Sequence, residues 1–161
     1  MMSSPFAELG LTRRLAGILG PGADVAVVGV WGAARAITAA QAATARSLPL
    51  CYITTGRLEA EAAFEDLVTC FGEDQVALIP AWEVLPRDRM APSDDIVAER
   101  LHSLHRLLHT GHPPRAIVCP ARAALQYAPA PDVLRQLTLR LEKSQEIALH
   151  ELPERLIELG Y

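Results

Sequence analysis

Four short apolar runs, each followed by a stretch of helical character, constrain the fold of this chain more than any other feature. The runs lie at residues 25–30 (VAVVGV), 50–54 (LCYIT), 76–79 (VALI) and 116–119 (AIVC). Helical segments are expected at 33–45, at 58–71 with Gly72 closing it, at 93–110 with Gly111 at its end, and at 121–126. Strand and helix alternating in this way predict an α/β fold: a parallel sheet flanked by helices. The first run is continuous and β-branched, the pattern of a strand covered on both faces. Ahead of it, residues 5–18 read as a short amphipathic helix ended by Gly20, Pro21 and Gly22. The pattern changes after Tyr127. Pro129 and Pro131 mark a linker, 137–141 alternates like a half-exposed strand, and 153–159 reads as a short helix. The expected organisation is therefore one α/β domain over 1–128 and the start of a smaller α+β domain over 129–161. That second domain is expected to break off at Gly160 and Tyr161, where a capping glycine normally leads into another element.

Composition narrows the function classes. Half of the 161 residues are hydrophobic and 21% are charged, as in a globular chain with a buried core. No apolar run approaches the roughly 20 residues of a membrane helix, and residues 1–11 lack a basic stretch leading into an apolar one, so a cytoplasmic protein is expected. The net charge of −4 and the absence of any basic run denser than Arg13–Arg14 give no electrostatic footprint for nucleic acid. Cys51, Cys70 and Cys119 are odd in number and lack CxxC spacing, which argues against structural zinc and a disulfide framework. They are expected to be buried small side chains.

Between the first run and its helix lies GVWGAARA, residues 29–36, where a phosphate-binding loop would sit. Such a loop reads G-x-x-x-x-G-K-[ST]. Its second glycine lets backbone amides close on phosphates, its lysine reaches the β- and γ-phosphates, and its hydroxyl holds Mg²⁺. Here Gly29 remains and Gly32 lies between. The second glycine has become Ala34, the lysine Arg35 and the hydroxyl Ala36. The magnesium ligand is lost, and an arginine is no substitute for lysine at a crowded phosphate site. A turn joining strand to helix is the expected role, with some anion attraction left to Arg35. No catalytic residue, cofactor or metal site is assigned.

Other residues invite chemical readings. On the helix over 93–110, Ile96, Val97, Leu101, Leu104, Leu107 and Leu108 form one apolar arc expected to pack on the sheet. Ser93 is a candidate N-cap, and Asp94 and Asp95 suit the first turn. Arg100 falls inside the apolar arc, and a buried arginine calls for a carboxylate partner; Glu83 is the first candidate and Asp88 the second. His102, His105 and His109 share one side of that helix, with His112 just beyond. Without an HExxH pattern, a solvated face explains them better than a metal site. Trp31 and Trp82 each adjoin a glycine or proline turn and are expected to pack beneath a loop rather than stand exposed as partner anchors.

Several of these stretches together resemble one family. PAWEVLP at 80–86, then APSDDIVAERL at 91–101, is similar to the WETLP…SP-x-x-DI-x-x-x-RL-x-x-L signature of bacterial transcription-repair coupling factors, with Trp82, Glu83, Pro86, Asp95 and Arg100 at its defining positions. IVCPARAALQ at 117–126 resembles that family's IV-x-P-x-x-x-LLQ stretch, and 152–161 resembles its L-x-x-x-L-x-x-x-GY. The resemblance implies an N-terminal region similar to UvrB domain 1a, with a degenerate phosphate loop, and the beginning of the UvrA-interaction domain. It implies a parent protein that is an ATP-dependent DNA translocase, displaces stalled RNA polymerase and recruits UvrA for nucleotide excision repair. Its motor and polymerase-binding parts would lie beyond residue 161, so this chain would act as a non-catalytic module. A nucleotide-binding helicase or ATPase fragment with an atypical loop is the alternative, and an unrelated α/β binding protein is a third reading.

Overall fold

Strand β3, Ala116–Pro120, is central to the sheet, with β1, Leu50–Thr54, on one side and β2, Val76–Leu78, on the other. Both pairings are parallel: Leu50 and Val76 each stand opposite Ala116, and Tyr52 and Leu78 each stand opposite Val118. The structure is a computed structural model and describes residues 14–15, 17–84, 90–109 and 111–158. Among these, the sheet has three strands. The chain divides into two compact units, Met1–Gln126 and Tyr127–Tyr161.

One face of the sheet carries the core. Helix α1, Ala34–Arg46, presents Ala36 and Ala40 at helical spacing, and α2, Arg57–Phe71, presents Ala60, Ala63 and Leu67. These pack with Val76, Ala116 and Val118, flanked by Leu50, Tyr52 and Leu78. The small alanine side chains let two helices and the sheet approach closely. Helix α1 ends at Ser47, which adopts the left-handed conformation (φ 52°) and donates its N–H to Ala43 and Thr44 carbonyls. At the start of α2, the Glu59 carboxylate accepts the Gly56 N–H at 3.0 Å and the Thr55 hydroxyl, satisfying an amide the helix leaves unpaired.

Helix α3, Asp94–His109, lies along the outer edge of β2. In a parallel strand, alternate residues point their carbonyls to the same side. Those of Val76, Leu78 and Pro80 point away from β3, and α3 meets each with a polar side chain. Arg106 Nη1 donates to the Val76 carbonyl at 2.9 Å, Ser103 Oγ to Leu78 at 2.5 Å, and Arg100 Nη1 to Pro80 at 2.6 Å. Arg106 Nη2 also donates to the Asp74 carbonyl at 2.7 Å. Spacing of three on the helix matches spacing of two on the strand, so one polar stripe closes an edge that would otherwise expose unpaired backbone. Pro80 suits its place, since it has no outward N–H to satisfy. This corrects the expected apolar arc. Leu101 is 40% exposed and Leu104 and Leu108 are half-buried, whereas Ile96, Arg100 and Ser103 are buried. The helix is rotated toward its 100/103/106 side because the strand edge needs donors there.

Two expected strands are absent. Residues 25–30 pair with no strand, and Val28 is 87% exposed. β-branched composition favours extended backbone, yet a strand exists only where a partner takes its hydrogen bonds. Residues 137–141 are also not a strand. The supposed linker instead opens helix α5, Pro131–Gln136, with Pro131 in its first turn. That helix buries Leu134, and Thr138 donates its hydroxyl back to the Leu134 carbonyl at 2.7 Å. A short helix α4, Ala121–Ala124, follows β3 directly, and α6, Glu151–Glu158, ends the second unit, where Arg155 donates to the Gln136 carbonyl at 2.8 Å. The helix expected over 5–18 is described only at its C-terminal end. No helix among the described residues is long and apolar enough to cross a membrane.

Candidate functional site

The turn at 29–36 sits at the N-terminus of α1, beside the carboxyl end of β1, where open α/β sheets commonly bind ligands. Gly29 and Gly32 adopt positive φ of 76° and 54°, a conformation that strains other residues. The turn is closed on itself. The Ala34 N–H donates to the Trp31 carbonyl at 3.3 Å and the Arg35 N–H to Gly32 at 3.1 Å, so neither is directed at a ligand. The Arg35 guanidinium folds back as well, its Nε donating to the Val30 carbonyl at 3.2 Å. Ala36, which stands where a phosphate loop has its magnesium-binding hydroxyl, is 1% exposed and belongs to the core with Ala40, Ala60 and Ala63.

A cavity of about 310 Å³ opens beside this turn, bounded by Gly32, Arg35, Ala36, Tyr52, Glu59 and Asp66 among others. Its lining includes two carboxylates and one guanidinium, a balance unfavourable to a polyphosphate. Burial pushes the Tyr52 phenol up, with nearby Arg35 opposing and Asp66 adding to the rise. Trp31, expected to pack beneath a loop, is instead 77% exposed, because the run before it does not enter the sheet.

The residues that carry the family resemblance converge at the opposite edge. Trp82 is half-buried, and its ring covers the Arg100 guanidinium at 5.1 Å. Gln126 clasps the Trp82 backbone from the far end of β3: Oε1 accepts the Trp82 N–H at 2.7 Å, and Nε2 donates to the Trp82 carbonyl at 3.3 Å. Two stretches 44 residues apart are thereby joined. The expected Arg100–Glu83 pair does not form. Arg100 is 2% exposed, and among the described residues it meets the Pro80 carbonyl and the Trp82 ring but no carboxylate. Its Nε has no hydrogen-bond partner, and burial pulls its pKa down. Among the described residues, a cation over an aromatic face and a carbonyl at its fork stand in place of the pair with Glu83. Glu83 serves elsewhere. It accepts the Ser93 hydroxyl at 2.9 Å, tying the loop to the start of α3, and lies 3.8 Å from Arg57. Burial raises the Glu99 carboxyl, with Arg57 opposing and Glu61 adding.

Asp95 is exposed in the first turn of α3 beside Asp94. Pro86 and Asp88 lie outside the described residues. His102 is exposed and His105 half-buried, and among the described residues no group of three side chains could hold a metal ion. Sequence reasoning missed Gln126, Ser103 and Arg106. The Q ending IV-x-P-x-x-x-LLQ was the available signal for the first; for the other two, polar residues at a spacing of three from Arg100 were. It also expected buried cysteines, but only Cys119 is buried; Cys70 is half-buried and Cys51 exposed.

No protein-family model matches the chain. Curated relatives do. It is 37% identical over 125 residues, 74% of its length, to the transcription-repair-coupling factor of Mycobacterium tuberculosis. It is 32% identical over 148 residues to the protein of that name from Myxococcus xanthus, and 26% over 135 residues to that from Bacillus subtilis, covering 87% and 84% of the chain. The aligned region is 10–12% of the length of these relatives. The chain belongs to the transcription-repair-coupling factor family and spans about a tenth of the length of the curated relatives it matches.

Proposed function

We propose that this segment is the N-terminal, non-catalytic module of a transcription-repair coupling factor, built on a UvrB-like scaffold whose phosphate loop has become a structural turn. The observation that carries this reading is Ala36, where the hydroxyl of a working loop is replaced by a methyl group buried in the alanine core. Closed backbone amides at Ala34 and Arg35 and a cavity with excess negative charge support it.

The same proposal places the ATP-dependent DNA translocase, and the contacts with RNA polymerase, in the part of the parent protein beyond this segment. Residues 129–161 would begin the UvrA-interaction domain, and the module would dock either to UvrA or to the parent's own motor. A cytoplasmic protein is part of that reading. The second reading, an atypical nucleotide-binding fragment, draws on the cavity beside Arg35.

Calorimetric titration of the chain with Mg-ATP, and in parallel with UvrA, separates the two. The docking reading expects no heat with nucleotide. Micromolar Mg-ATP binding that an Arg35→Ala variant loses would replace it with the second. Tight UvrA binding would place the contact surface within these 161 residues rather than mainly beyond them.

A further inference from the structure

Two of the three cysteines share the sheet face opposite α1 and α2. Cys51 stands opposite Ile117 and Cys119 opposite Ile53, so the two are diagonal neighbours on adjacent strands, with side chains on the same face. Cys51 is exposed and Cys119 is buried. Cys70 is on α2 and packs against the core on the other face.

We propose that Cys51 and Cys119 form a dithiol oxidation site, in which a hydroperoxide oxidises Cys51 and Cys119 then closes a reversible disulfide with it. In the first step the Cys51 thiolate attacks the peroxide. The O–O bond breaks, water or an alcohol leaves, and Cys51 becomes a sulfenic acid. In the second, the Cys119 thiolate attacks the Cys51 sulfur, the S–O bond breaks, and the hydroxyl leaves as water with the thiol proton. The peroxide is reduced, and the two thiols are oxidised together.

The two cysteines differ in the way these steps require. Exposure gives Cys51 access to the oxidant. Burial pushes the Cys119 thiol up, its neighbour Cys51 adds to the rise, and Arg100 opposes it, so Cys119 rests protonated and is the resolving partner. Arg100, a buried cation without a carboxylate among the described residues, favours the Cys119 thiolate as it attacks. Diagonal neighbours on paired strands are about 7–8 Å apart at Cα, wider than a relaxed disulfide. Among the described residues β1 is an edge strand paired only with β3, and the bond closes only as β1 shifts toward it. The resulting bond is strained and exposed, hence readily reduced.

The test is peroxide treatment of the intact chain, followed by non-reducing peptide mapping and dimedone labelling. The wild-type chain is expected to lose two hydrogens, to give a Cys51–Cys119 linked peptide, and to return to the dithiol with dithiothreitol while Cys70 remains alkylatable. Cys119→Val keeps an apolar side chain on β3 and should raise dimedone trapping of Cys51 about tenfold, since no neighbouring thiol captures the sulfenic acid. Cys51→Ser should abolish the link. Wild-type chain that yields Cys51 sulfinic acid or a Cys51–Cys51 dimer with no internal bridge would overturn the proposal, as would equal dimedone labelling in wild type and Cys119→Val.

Discussion

The two ends of the sheet manage backbone polarity in opposite ways. At β2, three side chains of α3 satisfy the outward carbonyls of Val76, Leu78 and Pro80, and Trp82 and Gln126 lock the strand's exit. At the start of α1, the turn satisfies the Ala34 and Arg35 amides, and Arg35, which lines the neighbouring cavity, folds back on a carbonyl of that turn. The first region joins elements far apart in sequence; the second, among the described residues, bonds within its own turn. Residues that mark the family lie in the first. The lesson is that Trp82, Glu83 and Arg100 of the signature make contacts between separate stretches of the chain, while the motif-like loop makes few.

Arg100 separates the two regions most sharply. Arg100→Ala removes a buried hydrogen bond and the Trp82 contact and leaves a cavity, and should cost about 3 kcal/mol in urea unfolding. Arg100→Met, which fills the space and removes a buried charge, should cost clearly less. Equal loss in both would mean that packing plays no part. Gln126→Ala and Ser103→Ala should each cost about 1 kcal/mol by the same measurement, and Gln126→Ala should also red-shift Trp82 fluorescence as water reaches the ring.

Glu99 offers a smaller, pH-dependent contrast. Burial raises its carboxyl in the folded chain, so the folded state holds the proton more tightly than the unfolded one. Its contribution is fully present below the unfolded pKa and is lost as pH rises through the folded value. Glu99→Gln should flatten that part of the stability profile measured across the acid range; an unchanged profile would show that Glu99 is not the group responsible. Arg35→Ala should have the smallest effect, within about 0.5 kcal/mol, because the side chain is exposed and bonded only to its own turn. A larger loss would mean that the turn supports the fold more than its contacts suggest.

Much of the first unit was legible in the sequence, and the exceptions share a cause. The runs at 50–54, 76–79 and 116–119 are strands because each has a neighbour, whereas 25–30 has the better β composition but no partner among the described residues. At 137–141, alternation suggested a strand, but Pro131 starts a helix that buries Leu134 instead. Periodicity records which side chains avoid water; it does not record where strand carbonyls point. The arc of α3 was therefore drawn around its leucines with Arg100 inside it, and it missed Ser103 and Arg106, which the edge of β2 also demanded. For the same reason Arg100 was assigned Glu83 and found, among the described residues, a carbonyl and a ring. Position 36 was read from the motif alone, and its burial became visible only once α1 was placed against α2.

The central claim is that position 36 belongs to the core and not to a nucleotide site. Thermal unfolding of Ala36→Ser, with and without Mg-ATP, tests it most directly. A hydroxyl placed among Ala40, Ala60 and Ala63 should cost about 1–2 kcal/mol, and Mg-ATP should restore none of it. A variant that keeps wild-type stability and gains a nucleotide-dependent rise in Tm would contradict the account and identify the turn as a nucleotide-binding loop.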